Sequence, residues 1–261
     1  MLCQSARYPR REERIGIVKT EGIIVSIIPF SESSQICKAL CRDAGNVSFI
    51  AKGIRKKTEG IHRMWEYELG LTEPKEEGLF LLKDLREMRD YDQYPSPSTW
   101  AAADCGAELL TQILIPKSES AVYYALLKTY LDYLKTVSSG GIFLFWRLII
   151  RLYILLGIDL DVRACSLCKV QGKMVGHAKS GDLYCASCYA GAGPQTIPFS
   201  GEAASILYAL PEIANHYRDL TVTRAAAREI SAFFADYYYQ HYKQTLKLRS
   251  LNVLMQFLAG S

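Results

Sequence analysis

The pattern of apolar and polar positions changes its period once along the chain. Between residues 15 and 92, five short runs rich in β-branched and aromatic residues alternate with turn signals, a pattern typical of strands. The sequence Asp-Ala-Gly-Asn at residues 43–46 predicts a tight hairpin between the second and third runs. Five short strands of this total length predict a Greek-key barrel of the oligonucleotide-binding (OB) type, although strand counting alone leaves other small barrels open.

Beyond a connection rich in Pro and Ser at residues 94–98, the period becomes helical. The pattern predicts Ser98 as the cap of the first helix, and a further helix after Pro211. The predicted helices are residues 99–115, 118–137, 142–157, a segment near 200, 223–242 and 246–258. The predicted class is therefore α+β, with a barrel first and a helical domain after it.

The most apolar helix raises the question of a membrane span. Residues 142–158 are only 17 long and include Arg147 and Arg151, so they predict a buried core helix instead. The two arginines are four apart and share one stripe of the helix. We interpret that stripe as a polar edge, with a partner-binding site as the alternative.

Four of the eight cysteines have the spacing of a metal site. Because the chain begins with no secretory pattern, we expect it in the reducing cytoplasm, where paired cysteines more often bind metal than form disulfides. The four cysteines follow the pattern C-x2-C-x16-C-x2-C, which is typical of a tetrahedral zinc site: Cys165, Cys168, Cys185 and Cys188. Four thiolates leave no open position, so we predict one structural Zn²⁺ per chain. A redox dithiol pair and cysteines that share their spacing by accident are the alternatives. We expect His177, between the two pairs, at the surface, and Cys37 and Cys41 in the core.

Basic residues are concentrated early in the chain. The net charge is only +4, but residues 1–63 hold twelve Lys or Arg against six Asp or Glu. Five of these cations cluster around the end of the third predicted strand: Lys52, Arg55, Lys56, Lys57 and Arg63. A basic cluster at a barrel loop is suited to neutralising DNA phosphates, and a merely solvated loop is the alternative.

A second basic cluster, at residues 243–249, follows the run Tyr237-Tyr238-Tyr239. Tyrosines at helical spacing predict packing rather than base stacking. The sequence contains no glycine-rich nucleotide-binding motif and no nucleophile elbow, and its four histidines are scattered. We therefore expect a protein that is not an enzyme.

Taken in order, several segments resemble the bacterial RecO family of recombination mediators. They are EGIIVSIIPFSESSQICKALCRDAGNVSFIAKGIRKK, FLFWRLIIRLYILLGIDLDVRACSLC, LYCASC and YYYQHYKQTLKLRSLNVL. The resemblance covers residues 20–258. It places Lys52, Arg55, Lys56 and Lys57 on the family's A-[KR]-G-[AI]-R-[KR] loop. It also places the four cysteines of the C-x2-C pairs, which form two zinc knuckles, on the family's zinc ligands. The first fourteen residues are not typical of the family.

The resemblance implies a DNA repair protein that binds single- and double-stranded DNA and promotes strand annealing. It also implies assistance to recombinase loading with a RecR-type partner, and binding of the acidic, apolar tail of single-stranded-DNA-binding protein by the helical domain. The expected division is a basic extension (1–14), an OB-fold DNA-binding domain (15–95), a helical domain in two parts (96–164 and 200–261) and a zinc-knuckle insertion (165–199). A zinc-containing protein adaptor without direct DNA binding is the competing hypothesis.

Overall fold

The structure, a computed structural model, describes residues 17–54, 60–74, 78–193, 195–215 and 220–258. The first five strands are β1 (Ile17–Pro29), β2 (Gln35–Cys41), β3 (Gly45–Ala51), β4 (Trp65–Thr72) and β5 (Phe80–Asp90). They form a closed barrel in the order β1-β2-β3-β5-β4, in which β3 and β5 are parallel and the other pairs are antiparallel. This confirms the predicted five-stranded barrel, with the β2–β3 hairpin at the predicted turn, where Gly45 has a φ of +69°.

The barrel strands contribute buried side chains on both faces, some to the barrel interior and some to the contact with the helices. Cys37 on β2 lies opposite Phe49 on β3, and both side chains fill the barrel interior with no exposed surface. Cys41 is also fully buried, so the core placement of both cysteines is confirmed. On β1, Ile24 points into the barrel, whereas Ile23 packs outward into the core of the helical part. Successive side chains of β1 thus enter two different hydrophobic cores, one inside the barrel and one in the helical part.

The rest of the chain is mostly helical. Its helices are α1 (Pro97–Thr111), α2 (Ser120–Lys135), α3 (Gly141–Leu155), α4 (Ala186–Tyr189), α5 (Gly201–Ala209), α6 (Arg224–Tyr242) and α7 (Arg249–Gln256). A small sheet, in the order β7-β6-β8, is formed by β6 (Gly176–Ala178), β7 (Leu183–Tyr184) and β8 (Thr196–Pro198). The helix predicted after Pro211 corresponds to a short 3₁₀ helix, Leu210–Asn215, and residues 216–219 lie outside the described residues.

The cap of α1 also differs from the prediction. Ser96, not Ser98, is the N-cap: its hydroxyl accepts a hydrogen bond from the Thr99 amide at 3.3 Å, and its own amide donates to the Thr99 hydroxyl at 3.2 Å. Pro97 takes the first helical position, where its missing N–H costs nothing and its fixed φ suits the helix. The helix therefore begins one position after Ser96.

The helix α3 is the buried centre of the helical part, as predicted. Its buried side chains include Trp146, whose indole N–H donates to the Ser231 hydroxyl on α6 at 3.0 Å, and Tyr153, which stacks on Tyr237. Among the residues that the structure describes, none belongs to a helix both long and apolar enough to cross a membrane.

A buried carboxylate lies where the barrel meets the helices. Glu66 on β4 is 1% exposed and accepts hydrogen bonds from the hydroxyls of Tyr91 and Tyr124. The Lys128 ammonium on α2 completes the group at 2.7 Å from Glu66 Oε1. Separately, the Asn46 side-chain amide donates to the carbonyls at the end of α1. These contacts fix the barrel against α1 and α2.

Candidate metal centre and nucleic-acid interface

The two cysteine pairs lie on two tight turns held together by the small sheet. In the first turn, the Lys169 amide donates to the Cys165 carbonyl at 2.9 Å, and Lys169 takes a positive φ of 59°. In the second turn, Cys185 is the N-cap of α4, and the Tyr189 amide donates to its carbonyl at 2.9 Å. The strands β6 and β7 form a hairpin between the pairs, and the Ser166 amide donates to the Leu183 carbonyl at 2.7 Å. These contacts bring the second pair of cysteines back to the first.

The geometry of the four sulfur atoms suits a tetrahedral cation. All four Sγ atoms lie within 4.8 Å of one another, and those of Cys168 and Cys185 are 3.7 Å apart. Zn–S bonds of about 2.3 Å in a tetrahedron place sulfur atoms roughly 3.8 Å apart, so the cluster needs little adjustment to hold zinc. Since the four thiols would fill a tetrahedral shell, this arrangement fits a structural site rather than a catalytic one.

The electrostatics of the cysteine cluster also favour a cation. Burial opposes ionisation of the Cys165 thiol, but backbone N–H groups of Cys168, Cys185 and Leu167 lower its pKa to about 6. Hydrogen bonds with the Cys168 and Cys185 thiols raise the pKa of Cys188 to about 12. Four thiolates at this distance repel one another, and a divalent cation at their centre removes that repulsion.

The histidine between the two pairs is not at the surface, which corrects our expectation. His177 is only 2% exposed, and its ring stacks on Phe199 and meets Phe233 edge to face. Burial lowers the pKa of His177, and its Nδ1 lies 3.1 Å from the Ala178 carbonyl oxygen. His177 is a packing residue that attaches the small sheet to α6, and it is not part of the sulfur cluster.

The structure describes two of the five cations of the predicted basic cluster, Lys52 and Arg63. Lys52 is exposed just beyond β3, and Gly53 after it has a φ of +70°. Arg55, Lys56 and Lys57 lie outside the described residues. The side chain of Arg63 turns toward the helices: its Nε donates to the Val25 carbonyl at 3.0 Å, and its Nη2 lies 2.5 Å from Asp104 Oδ1. Arg63 therefore holds the junction between barrel and helices.

The tyrosines near the second basic cluster mostly pack, as predicted. Tyr237 and Tyr238 are buried, and the Tyr237 hydroxyl donates to the Asp159 carbonyl at 2.8 Å. Tyr239 is 45% exposed, and the ammonium of Lys243 lies 5.9 Å from the centre of its ring. Two of the three tyrosines thus belong to the helical core.

A groove that we did not predict runs between α2 and α3. It has a volume of about 470 Å³ and is lined on α2 by Val122, Leu126 and Tyr133, and on α3 by Ile154. Three of these side chains are about half exposed: Val122 at 51%, Tyr133 at 49% and Ile154 at 58%. Arg147 and Arg151 lie along its α3 side, and within the described part of the chain neither has an ion-pair partner. The sequence already placed the two arginines on one stripe of α3. It did not show that α2 packs beside that stripe, and the groove exists only because the two helices are neighbours.

Together, the barrel, the helical domain and the inserted cysteine knuckle define a two-part protein with an OB-type barrel and a candidate zinc site. Comparison with family sequence models matches residues 15–68 to "Recombination protein O N terminal" and residues 95–250 to "Recombination protein O C terminal". The chain belongs to the recombination protein O (RecO) family of DNA repair and recombination mediators, which is not known as a family of catalytic enzymes. A comparison with curated protein sequences gave no significant match.

Proposed function

We propose that this protein is a DNA-binding recombination mediator that acts in the cytoplasm at the nucleoid. It binds single- and double-stranded DNA, promotes annealing of complementary strands and assists recombinase loading onto gapped DNA with a RecR-type partner. The observation that carries the proposal is a closed OB-type barrel with a basic connection leaving β3, in a chain of the RecO family.

The proposed division of labour follows the fold. Residues 15–95 bind DNA, residues 96–164 and 200–261 bind protein partners, and residues 165–199 carry the metal. Lys52 is the first cation of the loop and is exposed to solvent, and Arg55, Lys56 and Lys57 follow it in sequence. Ammonium and guanidinium groups that neutralise phosphates lower the repulsion between two strands, so base pairing drives annealing without hydrolysis of a cofactor.

We propose that Cys165, Cys168, Cys185 and Cys188 hold one structural Zn²⁺. When bound, the ion acts as a cross-link between the two turns rather than as a Lewis acid for a substrate. The residues of the chain supply the rest: amide donors stabilise the Cys165 thiolate, and β6 and β7 hold the pairs in register.

The experiment for DNA binding is a salt series with a fluorescent single-stranded oligonucleotide. It compares the wild type with a variant carrying Arg55→Ala, Lys56→Ala and Lys57→Ala. Each lost phosphate contact lowers the slope of log K against log salt by about 0.7, so the expected reduction is about 2. A matched control removes three exposed cations elsewhere, with the same change in net charge: Lys117→Ala, Lys179→Ala and Arg228→Ala.

The two outcomes separate the competing hypotheses. A steep slope that the loop variant reduces and the control variant leaves unchanged supports the mediator proposal. Absence of wild-type binding at low salt would instead support a zinc-containing protein adaptor. Membership of the RecO family would then not imply that this chain binds DNA.

The groove between α2 and α3 supports the proposal that the helical domain binds a protein partner. An apolar trough bordered by Arg147 and Arg151 complements a peptide that is both apolar and acidic. We propose that it binds the acidic, apolar tail of single-stranded-DNA-binding protein, which the resemblance to the family implies as a partner. Holding that tail places the barrel next to the DNA that the partner covers.

The test of the groove is a peptide titration followed by fluorescence anisotropy. Arg147→Ala with Arg151→Ala should weaken binding of the tail peptide by at least tenfold, because two charge-assisted contacts are lost. Lys179→Ala with Arg228→Ala removes two exposed cations outside the groove and is the matched control. Equal binding by all three proteins would exclude the groove as the tail site.

A further inference from the structure

One outer face of the barrel carries an apolar ladder that crosses four strands. Ile28 on β1 lies opposite Ile36 on β2, Ile36 lies opposite Ile50 on β3, and Ile50 is the parallel partner of Leu81 on β5. Register partners point to the same side of a sheet. Since the neighbouring row packs into the barrel interior (Ile27, Cys37, Phe49 and Phe80), the ladder lies on the outside.

The ladder ends beside an exposed aromatic ring. Phe30, two positions beyond Ile28 in the β1–β2 turn, is 61% exposed, and its amide donates to the Ser34 carbonyl at 3.0 Å, which fixes its backbone. Ile28 itself is 52% exposed, whereas Ile36, Ile50 and Leu81 are half-buried. An exposed phenylalanine next to a partly exposed aliphatic row is unusual for a surface that contacts only water, because burying either would stabilise the chain.

The charges around this face are suited to a polyanion. Lys38 lies opposite Ser48 on one side of the ladder and is exposed, and Lys52 follows Ile50 by two positions on the other side. Along a strand, two positions correspond to about 7 Å, so each ammonium can reach a phosphate of a chain whose bases lie on the ladder. Glu32, in the same turn as Phe30, is the acidic residue of that turn.

We infer that Phe30 and the ladder Ile28-Ile36-Ile50-Leu81 form a base-binding platform for single-stranded DNA, with Lys38 and Lys52 holding its phosphates. This inference rests on the proposed DNA-binding function and adds contacts to bases, which the basic loop alone does not supply. The three gaps between four strands span about 14 Å, enough for two or three nucleotides of an extended strand. Because the platform covers so few bases, the rest of a bound strand stays free to pair.

The test uses the full-length protein and two probes of equal length, an oligothymidylate and an abasic oligonucleotide. The wild type should bind oligothymidylate more tightly. Phe30→Ala should reduce that affinity about tenfold, as expected for one lost base stack, and leave both the affinity for the abasic probe and the salt slope unchanged. Ile17→Ala, an exposed isoleucine at the other end of β1, is the matched control and should behave as the wild type.

Three results would overturn the inference in distinguishable ways. If the wild type binds both probes equally, or Phe30→Ala weakens both equally, the bases do not contact the platform, while DNA binding itself stands. If Phe30→Ala leaves the affinity for oligothymidylate unchanged, the face serves another occupant such as a protein surface. If the wild type binds neither probe, the proposed DNA-binding function fails together with the platform.

Discussion

Replacing Glu66 should destabilise the protein more than replacing any solvent-facing glutamate of the barrel. The carboxylate is 1% exposed and is the shared acceptor for Tyr91, Tyr124 and Lys128. Burial, and then the nearby Glu66, raise the pKa of both tyrosines, which therefore remain protonated donors. Glu66→Ala leaves these donors without their acceptor at the contact between barrel and helices.

The magnitude follows from the exposure of each partner. Removing one member of a buried ion pair costs roughly 3–5 kcal/mol. The Lys128 side chain is 34% exposed and can turn to water, so we expect a loss at the lower end, about 3 kcal/mol. Glu68 is two positions along the same strand and pairs with Arg86 at the surface, so Glu68→Ala should cost less than about 1 kcal/mol.

Urea unfolding followed by tryptophan fluorescence measures both variants against the wild type. A reduced midpoint for Glu66→Ala, with Glu68→Ala close to the wild type, is the expected result. Equal and small effects of the two substitutions would contradict this prediction, because Glu66 would then not connect the barrel to α2.

Three further predictions concern the cluster, the helical core and pH. Cys165→Ser should lower both zinc stoichiometry by mass spectrometry and thermal stability, whereas unchanged zinc content would contradict the metal assignment. Gly106→Ala should destabilise by several kcal/mol in urea, since its Cβ would lie 2.3 Å from a ring carbon of Tyr130; unaltered stability would mean that the ring moves freely. Burial raises the pKa of three thiols from 9.0 to about 12, so the folded state keeps them protonated at a pH where the unfolded chain ionises them. The free energy of unfolding, measured in urea, should therefore be constant up to about pH 9 and fall as the pH rises toward 12. A free energy of unfolding that does not change over this range would contradict the prediction. These thiols belong to Cys37, Cys41 and Cys105.

The barrel and the cysteine cluster were predictable from the sequence because their signals are local. Strand alternation, the turn at residues 43–46 and the C-x2-C spacing each depend on neighbours in the chain. The α1 cap was also readable: a proline at the first helical position places the cap at the residue before it, which is Ser96.

The features that sequence reasoning missed depend on contacts between distant segments. His177 is buried because Phe199 and Phe233 enclose its ring. The ion pair of Arg63 with Asp104, 41 residues away, was likewise not predictable from the sequence, while its predicted contact with DNA stays a prediction. The groove beside Arg147 likewise needs the exposed side chains of α2, whose placement next to α3 is a property of the packed helices.

The proposed role in strand annealing can be measured with two complementary oligonucleotides, one labelled with a fluorophore and the other with a quencher. We expect the wild type to accelerate annealing without any nucleotide cofactor. The acceleration should fall steeply with salt, and the variant lacking Arg55, Lys56 and Lys57 should lose most of it. Annealing no faster than in buffer, or acceleration that the loop variant retains in full, would contradict a mediator that works through its basic barrel.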